Sequence, residues 1–298
     1  MDRVVKLKPV IKSYIWGGNY FQPFFPHDDK ISELWVLSNR EGNSAIIDSG
    51  NDKGKALNEV LKDEDVGPIQ DRFSYFPLLI KLIDAQDNLS VQVHPNDEYA
   101  LKNENSFGKT EMWHIINADE GSGIYIGLNN NYTKEQIKES LDDGSILKML
   151  NFVQVQKGET YLIKAGTIHA IGKGVRIIEI QQNSDLTYRL YDYKRQDKNG
   201  NYRELHIDKA IQVIDCHKYD VKQNHSDLLA DTPFFHVERK EFNKELKITA
   251  DKSFVSFTFL DGAGQVDDIP YKKFDTFFLP YGKKCSIRGN GLVIISRV

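Results

Sequence analysis

Cysteine is scarce in this chain. Its 298 residues include two, Cys216 and Cys285, far apart and outside any Cys-x-x-Cys pair. That argues against a disulfide framework or a zinc ribbon and fits a reduced, cytoplasmic protein. Long runs of one charge are also missing. The net charge is -4, with no extended basic stretch, so nucleic acid and anionic membrane are poor partners. No stretch is apolar for long enough to span a bilayer, and the N-terminal MDRVVKLKPVIKSYIWGG lacks the apolar segment of a signal peptide. What is present is a hydrophobic content of 40%, enough for a proper core. The chain also exceeds a typical single domain, so two domains are expected.

Short strand patterns dominate. Leu89, Val91 and Val93 alternate with Ser90, Gln92 and His94, so a strand here puts Gln92 and His94 on one face. An amide oxygen beside an imidazole on a rigid strand can begin a metal site; it can equally be a solvated polar face. Residues 4–12, 33–37, 76–83 and 121–128 also read as strands. In 111–116 the alternation sets His114 opposite Glu111, which makes His114 a structural histidine. Helical spacing marks 55–62, and Asp97 caps a helical turn after His94. Thr133 and Gln136 form a capping box at the head of a helical segment over 133–152, with Gly144 as a break inside it. Residues 207–214 are helical, 195–205 form a polar loop, and 218–232 read as a linker. Short strands then recur at 234–237, 246–249, 255–260, 276–279 and 292–296, the pattern of a second sandwich or barrel. The expected fold class is mainly β, with two jelly-roll domains. The first, 1–225, is catalytic and carries a helical insertion at about 130–152; the second, 226–298, is smaller and has no metal site.

The segment from Gly158 to Lys173 resembles the second motif of the cupin superfamily. Gly158, Gly166 and His169 keep its spacing, while Lys164 stands where a proline would be and Lys173 where an asparagine is common. The resemblance implies a β-sandwich or barrel with a metal in its middle. Gln92, His94, Glu111 and His169 are then the candidate ligands. Hard oxygen with imidazole nitrogen suits zinc, one ion per chain, with a position left open; iron or manganese can take similar ligands. Taken alone, His169 reads as a turn histidine.

The chain as a whole resembles the type I mannose-6-phosphate isomerases, in their short bacterial form. The likeness rests on Trp16-Gly17-Gly18, on Glu33-Leu34-Trp35, and on the run FPLLIKLIDAQDNLSVQVHPN. It continues through GKTEMW at 108–113, GTIHAIGKG at 166–174 and EIQQNSDLTYRLYDY at 179–193. It covers most of residues 10–195 and the remainder more weakly. It implies that Gln92, His94, Glu111 and His169 bind zinc, Gln92 least firmly. It also implies that Lys109, Arg189 and Glu179 are catalytic. Gly108 replaces a histidine of longer members, and Leu190-Tyr191-Asp192-Tyr193 replaces a glycine-rich stretch. The family's phosphate lysine falls on Arg195, beside Lys194. Ser90, Asp185 and Tyr191 complete the substrate-binding candidates.

The implied activity is a zinc-dependent aldose–ketose isomerisation between mannose 6-phosphate and fructose 6-phosphate through a cis-enediol. Arg189 and Lys109 would supply fixed positive charge. Glu179, shielded from water, would have its pKa raised into a range useful for moving a proton. Strand alternation from Arg189 places Tyr191 and Tyr193 as a wall for the sugar. The alternative is a non-catalytic metal-containing cupin that binds a sugar phosphate. A metal-dependent oxygenase is a weaker option, since the chain has Gln92 where such enzymes usually add a histidine. The partner implied is a small sugar phosphate, and the chain is expected to be a monomer or weak homo-oligomer.

Overall fold

The alternating segments of the first two thirds of the chain pair into two antiparallel sheets. The computed structural model describes residues 1–69, 72–197 and 199–298; Lys198, within the expected 195–205 loop, lies outside them. Five strands run in the order Leu150–Gln154, Gly123–Leu128, His169–Ile171, Val91–Val93 and Tyr188–Tyr191. Six run in the order Thr160–Ile163, Glu111–Ala118, Val175–Gln182, Leu78–Ala85, Glu33–Leu37 and Val10–Lys12. One core joins the two: Ile83, Trp113, Ile115 and Ile177 from the larger sheet meet Ile124, Ile126 and Ile171 from the smaller. Facing sheets with interleaved apolar side chains make the sandwich expected from the sequence.

The outer face of the five-stranded sheet is covered by helices. Val91, Val93 and Leu190 pack there against Ile137, Leu141, Ile146 and Ala210. Because Val91 and Val93 point outward, Gln92 between them points into the sandwich. The helix Lys134–Asp143 begins as its capping box predicts. The Thr133 hydroxyl accepts from the Gln136 N–H at 3.2 Å, and the Thr133 N–H donates to the Gln136 side chain at 2.9 Å. It ends at Gly144 in the left-handed region. Helical structure does not reach residue 152. After the short helix Ile146–Met149, residues Leu150–Gln154 form a strand paired with Gly123–Leu128; cross-strand pairing overrides local helical spacing here. A second correction concerns the helix Asp97–Glu104. Its N-cap is Asn96, whose side chain accepts from the Tyr99 N–H. Asp97 instead receives the Gly108 N–H at 2.8 Å and the Gln182 amide at 3.0 Å.

The C-terminal strands build an eight-stranded sheet. The expected strands at 234–237 and 246–249 are one strand, His236–Thr249, paired along its whole length with Lys284–Arg297. Its middle is solvent-exposed, so no apolar alternation marked it. Residues 228–231, expected as linker, form an edge strand of this sheet. Two N-terminal strands, Val5–Lys8 and Ile46–Ile47, complete it, with Val5 opposite Phe278. One apolar layer, including Phe257, Phe259, Phe277 and Ile287, belongs to this sheet alone. Another sets Phe235, Phe254 and Phe278 against Leu34, Leu78, Ile80 and Ile178 on the outer face of the six-stranded sheet. The strand Leu78–Ala85 is therefore buried on both faces, which explains its near-continuous apolar run. No helix among the described residues is long and apolar enough to cross a membrane.

Candidate metal centre and active-site cavity

Strand register brings the polar residues of the sandwich into two rows. In the five-stranded sheet Gln92 lies opposite His169 on one side and Arg189 on the other. In the six-stranded sheet Trp113, Glu179, Lys81 and Trp35 stand opposite one another across four strands. Glu111 precedes Trp113 by two residues and so shares its face.

Between the rows, His94, Glu111 and His169 converge. One ligand atom from each lies within 4.8 Å of the others, and all three residues are buried. The Nε2 atoms of His94 and His169 are 3.4 and 3.3 Å from the Glu111 carboxylate. Each imidazole turns its Nδ1 to a backbone carbonyl, Leu186 for His94 and Thr167 for His169, both at 2.8 Å. Donation from Nδ1 fixes the tautomer and leaves the Nε2 lone pair aimed inward. Gly166 supports the arrangement by donating its N–H to the His94 carbonyl at 2.9 Å. Burial, then the Lys109 ammonium, pushes the His94 imidazole down to about 3. Burial also lowers that of His169. Burial alone would raise the Glu111 carboxyl, but Lys109 and the two imidazoles outweigh it and hold it well below the usual carboxylate range. Two neutral imidazoles and a carboxylate are the protonation states that bind a metal. Both Glu111 oxygens are fully buried, and neither accepts a well-formed hydrogen bond. A buried carboxylate without a well-formed hydrogen bond, paired by charge with Lys109 and set beside two inward lone pairs, is a donor set that a divalent cation satisfies. Gln92 borders the set, its side-chain nitrogen 3.3 Å from His169 Nε2.

A charge network surrounds the cluster. Lys109 Nζ lies 2.8 Å from Glu111, 3.2 Å from His94 Nε2 and 3.8 Å from Glu179. Glu179 accepts from the Trp113 indole at 2.9 Å and faces Lys81 at 3.2 Å. Lys81 also faces Glu33 at 3.8 Å and lies over the Trp35 ring. Burial alone would lower the Lys81 ammonium; Glu33 and Glu179 reverse that and raise it, so the residue is charged.

A cavity of about 410 Å³ opens beside this network, within the range of small-molecule sites. Gln92, Lys109, Glu179 and Lys81 line its inner end, Tyr14 and Trp16 its covering loop, and Ser90, Asp185, Arg189 and Arg203 its outer wall. Gly18, after Trp16, packs so closely on Asp84 that a Cβ would lie 2.1 Å from the carboxylate. The Trp-Gly-Gly stretch thus serves packing as well as lining. Tyr191, Lys194 and Arg195 line a neighbouring recess beside Leu141 and Asp142. The separation has a backbone cause: the register with Val91–Val93 shifts between Arg189 and Tyr191, and this irregularity breaks the alternation that would have kept Tyr191 on the face of Arg189. His114 stands apart, bonded to the Thr160 hydroxyl at 2.8 Å.

The catalytic-domain model of type I phosphomannose isomerases matches residues 4–120. The chain is 36% identical over 292 residues to the mannose-6-phosphate isomerase ManA of Bacillus subtilis, covering 92% of each chain. The chain belongs to the type I mannose-6-phosphate isomerase family. A mannose-6-phosphate isomerase of Streptococcus mutans is 34% identical over 281 residues, with 89% of each chain covered. The crystal structure of a Bacillus subtilis mannose 6-phosphate isomerase superposes over 100% of both chains with a TM-score of 0.90 at 31% identity.

Lys81, Glu33, Trp16 and Arg203 were not among the site residues expected from the sequence. Lys81 had a signal: a lone lysine in the apolar run Pro77-Leu78-Leu79-Ile80-Lys81-Leu82-Ile83 must find partners when the strand is buried. Glu33 and Trp16 fall in stretches shared with the family. Arg203 lies in a polar loop with nothing to mark it.

Proposed function

We propose that this chain interconverts mannose 6-phosphate and fructose 6-phosphate through a cis-enediol, with zinc held by His94, Glu111 and His169 and bordered by Gln92. Family membership supports the reaction. The single observation carrying the site assignment is the convergence of three buried ligand atoms within 4.8 Å of one another, on a carboxylate that accepts no well-formed hydrogen bond. A bound zinc ion supplies Lewis-acid polarisation of sugar oxygens. The rest of the chemistry belongs to side chains. Lys109 and Lys81 flank Glu179 and place two positive charges where negative charge develops on the open-chain sugar. Of the two carboxylates that line the cavity beside Lys81 and outside the ligand cluster (Glu33 and Glu179), it is Glu179 that stands next to the cluster through Lys109, and it carries the proton between adjacent carbons. Trp113 holds it from behind. Arg189 adds charge that does not titrate, steadied by Ser90 at 3.3 Å and the Glu204 carbonyl at 2.7 Å. Tyr14 and Trp16 cover the cavity and limit water. Residues 1–225 form the catalytic unit of this reading, and 226–298 its buttress.

The test is a coupled assay with elemental analysis. Purified protein should contain one zinc per chain and turn over mannose 6-phosphate. Chelation should abolish turnover, and zinc should restore it. His94→Ala should lose both metal and activity. Stoichiometric metal with no turnover would select the binding-module alternative. Turnover unaffected by His94→Ala would reject the site.

A further inference from the structure

The turn that follows Arg189 is strained. Tyr193 and Lys194 have φ of 55° and 51°, a left-handed conformation that consecutive non-glycine residues seldom adopt. It is closed by the Arg195 N–H donating to the Asp192 carbonyl at 3.0 Å. Its anchor is the Asp192 side chain, 5% exposed. That carboxylate accepts from Arg195 Nη2 at 2.5 Å, from Arg203 Nη2 at 2.5 Å and from Arg203 Nε at 2.7 Å.

The two arginines leave Asp192 in different directions. Arg195 reaches Asp87 at 3.4 Å and lies over the Tyr193 ring, away from the substrate cavity. Arg203 spends one edge on Asp192 and lines the cavity wall with Ser90 and Arg189. Among the described residues its Nη1 has no hydrogen-bond partner. Asp185, on the same wall, is engaged by Arg40 at 2.7 Å. Two guanidinium groups therefore share one wall, and the one carboxylate held by either is the buried anchor behind Arg203. Burial and then the nearby Arg203 charge lower the Arg189 guanidinium, against the opposing pull of Asp192 and Glu204. A dianionic group on this wall would relieve that repulsion and accept forked donors.

We propose that Arg203, positioned by Asp192, is the second cation of the phosphate subsite and grips the sugar phosphate together with Arg189 and Ser90. The assignment rests on the isomerase reading above. It gives the task to a loop arginine rather than to Lys194 or Arg195, and makes Arg203 the residue that separates phosphorylated from free sugar.

Arg203→Met should be compared with the parent protein on mannose 6-phosphate and on unphosphorylated mannose. A charge-assisted contact of this kind corresponds to roughly 10- to 100-fold, so the ratio of the two kcat/KM values should fall by about that factor. The loss should sit mainly in KM. Competitive inhibition by inorganic phosphate should weaken in parallel, and Arg203→Lys should recover part of the ratio. An unchanged ratio overturns the assignment, whether neither substrate is affected or both fall together as a collapsed loop would make them. If the parent protein turns over neither sugar, the isomerase reading fails first. Calorimetric titration with fructose 6-phosphate then decides: binding at least tenfold weaker in Arg203→Met upholds the assignment, and equal binding overturns it.

Discussion

Single side chains in this protein are under charge constraints that make sharp predictions. Lys81 is buried between Glu33 and Glu179. Lys81→Met leaves two buried carboxylates short of a cation, and breaking such an arrangement costs roughly 3–5 kcal/mol. The urea midpoint should drop accordingly, and adding Glu33→Gln should recover part of the loss. His114 gives a pH prediction. Burial first, then the Arg239 charge, lowers its imidazole from 6.5 to about 4. The unfolded chain takes up a proton below pH 6.5, whereas the native chain waits until about 4. Stability contributed here is present above 6.5 and lost as pH falls through that window, by roughly 3 kcal/mol at most. His114→Gln, which keeps a partner for Thr160, should flatten the dependence of the urea midpoint on pH between 6.5 and 4. Residue types and spacing placed Gln92 and His94 together, and the family resemblance added Glu111 and His169; the cluster was legible because these residues lie in or beside short strands that hold them in place. Neither signal was enough for Lys81 or Arg203, whose roles depend on what stands opposite after folding.

At the scale of elements, the segment from Asn96 to Glu111 is a clasp. Gly108 sits so close to the helix start that a Cβ would lie 2.4 Å from the Asn96 carbonyl carbon and 2.5 Å from the Asp97 nitrogen. This chain therefore has no room there for the histidine of longer members. Gly108→Ala must move either the helix or Lys109. A shift of about 1 Å at a catalytic group can cost on the order of a hundredfold. We expect kcat/KM to fall by about that factor while the metal content matches that of the parent protein, measured on the same preparation. Other elements show where pattern reading stops. The capping box at Thr133 and the break at Gly144 bounded one helix, but the end of the helical segment as a whole was decided by pairing of Leu150–Gln154 with Gly123–Leu128. The long C-terminal strand was invisible across its exposed middle, since exposure removes the alternation that betrays a strand.

Across the whole molecule, the first sandwich and the C-terminal sheet share an apolar layer, and two strands from the first fifty residues belong to the C-terminal sheet. A chain ending at residue 225 would expose Leu34, Leu78, Ile80 and Ile178 and leave Val5–Lys8 without its Thr276–Leu279 neighbour. We predict that such a chain aggregates or shows no cooperative transition, while the full chain unfolds in one step by fluorescence and circular dichroism. A truncated chain with a sharp transition and retained metal would contradict this.

Val5 finds its mate at Phe278, 273 positions later by subtraction of the two numbers. At roughly 5–20 residues per second on the ribosome, that first ribbon waits between about a quarter of a minute and a full minute with its edge bare. The finished enzyme is thus assembled after synthesis is nearly over, and anything that shields nascent chains should influence its yield more than its turnover.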